Sequence, residues 1–402
     1  MNKIIHCLTG ALMVWGLSGC SDEPGTHNDT SKQEVEVPEL SAAESRIIES
    51  QTNFAFRLFE KFYAKQENMA LSPLSISLNL SMIANATEGE AREEIVATLG
   101  NGATSVEELN ALNRLIMKSF PYADRKTDME ISNSLWVPKS VAVNDAYNAL
   151  LTENYESETK ELASNAIEAM NTINSFVSEK THGIIPEFLS NPVYSTLVLN
   201  TCYFKAPWAT TNVKEDRLKF SMVDGKEAKV PAFVLSGIGC KDDELTIGRS
   251  NYGNGAYQMT VVVGPDKHTL PSISEIAAKW NDWSDDRAWS KVGLTVPEWD
   301  TTFKDFIGDQ IKELGIKLIF DSETKFEAMT SSPGVRFTDV LHGVRVISDK
   351  KGTEAAAATA VTDFTSAGPS ELTHIDVDRP FVYIISEKTT KAILFIGMVG
   401  TL

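Results

Sequence analysis

Lys351-Gly352-Thr353-Glu354-Ala355-Ala356-Ala357-Ala358-Thr359-Ala360-Val361-Thr362 is the stretch on which the fold turns. Taken alone, its four consecutive alanines favour a helix. The same run has no proline and mostly small or β-branched side chains, which also suits a buried strand. Side chains alternate along a strand, so Thr353, Ala355, Ala357, Thr359 and Val361 would share the face turned toward the core. A strand of about fifteen residues at roughly 3.3 Å each spans on the order of 50 Å, the breadth of a domain. The neighbouring segments decide between helix and strand.

Downstream, Phe381 to Ser386, a turn at Glu387-Lys388-Thr389-Thr390, and Ala392 to Val399 form two apolar runs that fit a hairpin buried on both faces. Upstream, Ile131-Ser132-Asn133-Ser134-Leu135-Trp136-Val137 ends at Pro138, and Thr196 to Phe204 is a second candidate strand. Further upstream the periodicity is helical, with Phe54, Leu58 and Phe62 on one face. Ser72-Pro73 reads as an N-cap followed by proline at the first helical position. The helix it opens runs through Ile76, Leu80 and Ile83 toward Gly89. Ala91, Ile95 and Leu99 align on the next one, with Gly100 to stop it. Helices first, strands later and no regular βαβ alternation make an α+β domain.

The 402 residues contain no Pro/Gly/Ser-rich linker after about residue 44, so a single large domain is expected over 45–402. A net charge of −18 without clustered Lys and Arg argues against a nucleic-acid partner. Residues 1–19 have the form of a signal peptide: Lys3, an apolar stretch from Ile4 to Leu17, then Leu17-Ser18-Gly19-Cys20. That tetrapeptide resembles a bacterial lipobox, which would make Cys20 a lipidated first residue, anchored in the outer membrane at roughly 0.8 kcal/mol per buried methylene. Ser21-Asp22-Glu23 resembles a short acidic signal that sends some lipoproteins to the cell surface. Residues 20–44, without an aromatic, read as a flexible tether. Cys202 and Cys240 are then the remaining cysteines, too few for a disulfide framework. The six histidines form no HExxH, and neither CxxC nor GxSxG occurs. Gly253-Asn254-Gly255 lacks the third glycine of a dinucleotide loop. No enzyme motif emerges, and no cofactor or metal is called for.

Five segments in order, Leu71-Ser72-Pro73-Leu74-Ser75-Ile76-Ser77, Leu199-Asn200-Thr201-Cys202-Tyr203-Phe204-Lys205 with Trp208, Val340-Leu341-His342, the 351–359 run, and Arg379-Pro380-Phe381 with Leu394-Phe395-Ile396-Gly397, together resemble the serpin family from about Asn53 to the last residue. The resemblance implies a five-stranded central sheet, two smaller sheets, about nine helices and an exposed reactive-centre loop. It further implies a monomeric suicide inhibitor of serine proteases rather than an enzyme. The protease cuts the loop and is trapped as a covalent acyl-enzyme while the loop inserts into the central sheet. Gly352, Thr353, Glu354, Ala355, Ala356, Ala357, Ala358 and Thr359 would be the hinge.

Counting fourteen positions from Gly352 puts the scissile bond between Ser366 and Ala367, with Phe364 the alternative for a chymotrypsin-like target. No Lys or Arg lies between Gly352 and Asp378, so elastase-like or subtilisin-like proteases fit better than trypsin-like ones. Asp363 would face inward after insertion, at a cost unless it protonates or stays wet. The span from Ala367 to Pro380 is slightly longer than in familiar members. By the same resemblance Ser72, Ser75, Asn200 and His342 would form the polar shutter beneath the sheet, and Trp208, Glu298 and Lys350 the breach where the loop enters. The family's usual charges are exchanged at the last two, which predicts a Lys350–Glu298 ion pair of reversed polarity. A non-inhibitory serpin that acts as a binding protein is the rival reading. Its hinge would be expected to carry bulky, charged or proline residues, unlike Thr353 to Thr359.

Overall fold

The computed structural model describes residues 33–63, 67–192, 195–210, 213–284, 286–287, 289–353 and 372–402. The first element is α1 (Ala42–Tyr63), whose Phe54, Leu58 and Phe62 are at most 1% exposed. The boundary drawn at 44–45 therefore falls in its first turn. Val37 is already buried, and the Val35 N–H donates to the Tyr122 carbonyl at 2.9 Å, so packing reaches back into the segment read as tether.

After β1 (Met69–Leu71) comes α2 (Pro73–Ala86), capped by the Ser72 side chain, which accepts from the Ser75 N–H. Every residue of α2 is buried, which makes it a core helix rather than an amphipathic one. In α3 (Glu90–Gly100) the left-handed stop is Asn101, at φ 66°, one position beyond the expected Gly100. Gly100 is needed for space instead, since a Cβ there would lie 2.5 Å from that of Thr104. A reciprocal Ser105/Glu108 cap opens α4 (Val106–Ser119).

The middle of the chain supplies β2 (Asp128–Pro138), α5 (Asp145–Tyr155), β3 (Glu158–Leu162), α6 (Ala166–Lys180) and β4 (Leu197–Pro207). There follow β5 (Lys214–Ser221), β6 (Glu227–Asp242), β7 (Leu245–Asn251), β8 (Tyr257–Val263) and α7 (Ile273–Lys279). The last third contains β9 (Ser290–Pro297), β10 (Trp299–Phe306), α8 (Gly308–Glu313), β11 (Leu341–Asp349) and β12 (Gly352–Thr353). It closes with β13 (His374–Asp376), β14 (Phe381–Glu387) and β15 (Ile393–Val399). Eight α-helices and three short 3-10 turns lie among the described residues, close to the nine helices expected.

The central sheet has the order β10-β11-β12-β4-β2-β3, which is the expected five strands plus the two-residue β12. The other strands run β1-β15-β14-β8-β7-β6-β9-β13, with β5 on β6. The two smaller sheets are joined because β6 is long enough to serve both: residues 227–234 pair with β5 and residues 238–242 with β7. All residues of β14 and β15 are buried, in agreement with the double-sided hairpin. Phe204 of β4 ties the layers together, its ring 5.2 Å from Tyr257 and 6.1 Å from Phe395.

Beneath the central sheet a buried polar network links it to the helices. The Asn200 amide donates to Asn133 at 2.6 Å, and the Asn133 amide to the Tyr155 carbonyl at 2.7 Å. The Tyr155 hydroxyl donates to Asn110 at 2.6 Å and accepts from Asn85 and Asn113. Removing a hub that several buried groups share costs more than one exposed bond. Tyr155→Phe is expected to lower native stability by about 1–3 kcal/mol, read as a reduced urea midpoint with unchanged far-ultraviolet circular dichroism.

Candidate functional site

The site is the head of the central sheet, where β4 and β11 meet. Among the described residues these two strands share no ladder, because each pairs with β12 between them. Thr353 lies opposite Ser348 on one side and Ala206 on the other. Gly352 makes the seating possible. Its φ is +147°, and a Cβ would lie 2.1 Å from the Ala206 carbonyl oxygen and 2.8 Å from the Pro207 Cα.

Thr353 is 4% exposed, and its hydroxyl is 2.7 Å from that of Tyr252. The Tyr252 ring stacks on Trp208 at 4.5 Å, and the Trp208 indole N–H donates to the Asp349 carbonyl at 2.8 Å. The end of β4, the end of β11 and the start of β12 are thereby fastened together. Tyr252 was not singled out from the sequence. Its only local signal is the Gly-rich turn that follows it, and its partner is 101 positions away.

Thr353 also lines a cavity of about 20 Å³, together with Cys202, Phe204, Val346, Ile184 and Ile185. Burial pushes the Cys202 thiol up to about 12, against a smaller opposing pull from the Ser72 hydroxyl. The thiol stays protonated and serves as packing. Cys202 and Cys240 are both free.

Ser72, Ser75 and His342 are brought together beneath the sheet. The Ser72 N–H donates to His342 Nε2 at 3.0 Å, and the Ser72 hydroxyl to that of Ser75 at 3.0 Å. Asn200 is not bonded to this trio. Its amide serves Asn133, and its Oδ1 is buried with no partner among the described residues. Burial alone drives the His342 imidazole down to about 3, so it is neutral and acts as an acceptor at Nε2.

The expected Lys350–Glu298 pair is corrected. The Lys350 ammonium is bonded to Glu215 on β5, while Glu298 acts on it only through space. The polarity is as expected, but the acid comes from the adjoining small sheet, which places its carboxylate in reach as the Glu298 side chain is not. The bond to Glu215 raises the proton affinity of Lys350, and Lys350 in turn holds the Glu215 carboxyl below its usual range. Residues 354–359, Phe364, Ser366, Ala367 and Cys20 lie outside the described residues.

The fold is of the α+β class, with a central sheet in which a two-residue strand, β12, lies between β11 and β4. The family profile described as Serpin (serine protease inhibitor) matches residues 49–401, and the chain belongs to the serpin family. Among curated relatives, Serpin-Z2A of Triticum aestivum is 29% identical over 384 residues, covering 88% of this chain and 95% of that one. Corticosteroid-binding globulin of Pongo abelii is 27% identical, over 88% and 90%. The native state of the thermophilic serpin tengpin superposes with a TM-score of 0.79 at 24% identity, over 94% of this chain and 99% of the other. Human thyroxine-binding globulin with its hormone superposes at 0.78 and 23% identity, over 90% and 99%. These two structures share the fold.

Two outcomes are expected here. Lys350→Glu sets like charges together against Glu215 and should speed native-state unfolding. Adding Glu215→Lys should restore the rate, whereas adding Glu298→Lys should restore it much less. For His342 the folded-state value lies below the unfolded one of about 6.5, so the unfolded chain binds the proton first. Its contribution is complete above about pH 6.5 and is lost toward pH 3, at up to about 1.4 kcal/mol per pH unit. His342→Gln keeps an acceptor for Ser72 and should flatten the acid limb of a stability-versus-pH profile relative to the parent chain.

Proposed function

We propose that this serpin is a single-use, irreversible inhibitor of serine proteases that cleave after small residues. The observation that carries the reading is the gap between β4 and β11, bridged among the described residues by Gly352 and Thr353. The protease serine attacks the Ser366 carbonyl, the Ser366–Ala367 bond breaks, the Ala367 amine leaves, and an ester joins Ser366 to the enzyme. The freed hinge then extends β12 downward. Each added residue pairs with two strands at once, and Ala355, Ala357 and Thr359 are small enough to follow Thr353 into the buried face. The ester-linked protease is carried with it before water can complete the hydrolysis. Such a chain is held ready by a kinetic barrier until it is cut.

The absence of a cation between Gly352 and Asp378 supports an elastase-like or subtilisin-like target. The lipobox-like Leu17-Ser18-Gly19-Cys20 supports lipid anchoring of the exported chain at a bacterial outer membrane, on its outward face if Ser21-Asp22-Glu23 is read as a surface signal. Cys20→Ala should release the chain from the membrane fraction; retention there would exclude this anchor.

The test of inhibition mixes the full chain with elastase, subtilisin, chymotrypsin and trypsin. The expected result is a complex with the first two that survives denaturing electrophoresis and a released fragment of 36 residues, 367–402. A 38-residue fragment with chymotrypsin would move the bond to Phe364. Cleavage by all four without any complex would favour a binding protein, the role that the names of two relatives state for them. Thr353→Arg, which cannot be buried against Tyr252, should reduce complex from most of the input to a small fraction and leave cleaved chain in its place.

A further inference from the structure

A second cavity, of about 710 Å³, lies where the two smaller sheets join, between β6, β7 and β9. The apolar side chains on the sheet face it shares with Arg249 are Val234 and Ile238, both half-buried. Its described lining includes four cations, Arg249, Lys214, Lys291 and Lys388, against the single carboxylate of Asp286. The chain as a whole has the opposite balance, 55 acidic to 37 basic residues. Solvated surface lysines would account for Lys214, Lys291 and Lys388, which are exposed, but they do not account for Arg249.

The Arg249 guanidinium belongs to a residue only 5% exposed. Nε donates to the Thr260 hydroxyl at 3.1 Å and Nη2 to the Trp283 carbonyl at 3.2 Å. The Asp286 carboxylate reaches Nη1 only at 3.5 Å, the long limit of such a contact. Trp289 covers the group at 4.4 Å. A guanidinium has five N–H donors, so two are without a partner among the described residues. Burial pulls its proton affinity down, with Asp286 opposing. A buried cation held by one long contact is incompletely compensated, and a planar anion that offers two oxygens would complete it.

We propose that this cavity binds a small organic anion, a carboxylate or sulfonate on an apolar body, with Arg249 taking the charged head, Val234 and Ile238 the body, and Lys291 and Lys388 steering it in. The cavity is separate from the gap that receives the loop, so the proposal stands or falls independently of protease inhibition.

The test is isothermal titration of the full chain with naphthalene-2-carboxylate, naphthalene-2-sulfonate and uncharged naphthalene-2-carboxamide. The expected result is one saturable site at which an anion binds at least about tenfold tighter than the amide, with the preferred head told by which anion is tighter. Arg249→Met should abolish binding. Should that variant fail to fold, Lys291→Glu combined with Lys388→Glu changes only exposed positions and should weaken the anion about tenfold. Equal affinity for the amide, an unchanged affinity in the double variant, or no saturable binding by either anion would each overturn the proposal.

Discussion

Neighbouring strands in a sheet ordinarily satisfy each other's backbone groups along their length. Here β4 and β11 instead part around two residues, and the organisation of the domain follows from that one separation. Gly352 and Thr353 occupy it at its head. The residue that turns the chain into it must lack a Cβ, because the Ala206 carbonyl occupies that place. The strands beside it must be held apart yet kept in line. Trp208 and Tyr252 do this at the top, and Ser72 and His342 below fasten α2 to β11.

The support under the sheet is as polar as its face is apolar. Asn200, Asn133, Tyr155, Asn110 and Asn85 form a continuous chain of buried donors and acceptors that couples β4 and β2 to α5, α4 and α2. Such networks are unforgiving, because a lost partner strands another buried group. The unpartnered Oδ1 of Asn200 and the neutral His342 are the weak points of this support. Both lie on the strands that would have to move apart for a loop to enter.

Charge is arranged at the rims of this scaffold rather than in its interior. Lys350 meets Glu215 across the boundary between the central sheet and a smaller one, so the turn before Gly352 is fixed by a strand from another layer. The exceptions among the described residues include Arg249, whose guanidinium is taken into the junction of the smaller sheets, and the buried side chains of Asp124 and Glu387.

Much of the fold was legible in the order of residues because it is set by local chemistry. The Ser72-Pro73 cap, the face carrying Phe54, Leu58 and Phe62, the strand ending at Pro138 and the doubly buried hairpin at 381–399 are each specified within a few neighbours. The small-residue run that begins at Gly352 favours a helix when read alone; Gly352 and Thr353 form a strand, and the alanines that follow lie outside the described residues. What the sequence could not determine was any pairing between distant positions. Glu298 and Glu215 are the same residue type, and only the placement of β5 beside the head of the central sheet selects Glu215 for Lys350. Tyr252 meets Thr353, and the Tyr155 hydroxyl meets three asparagines, for the same reason. Periodicity and capping act over one turn or one strand, whereas the choice of a buried partner is made by which layers the closed sheet topology brings together.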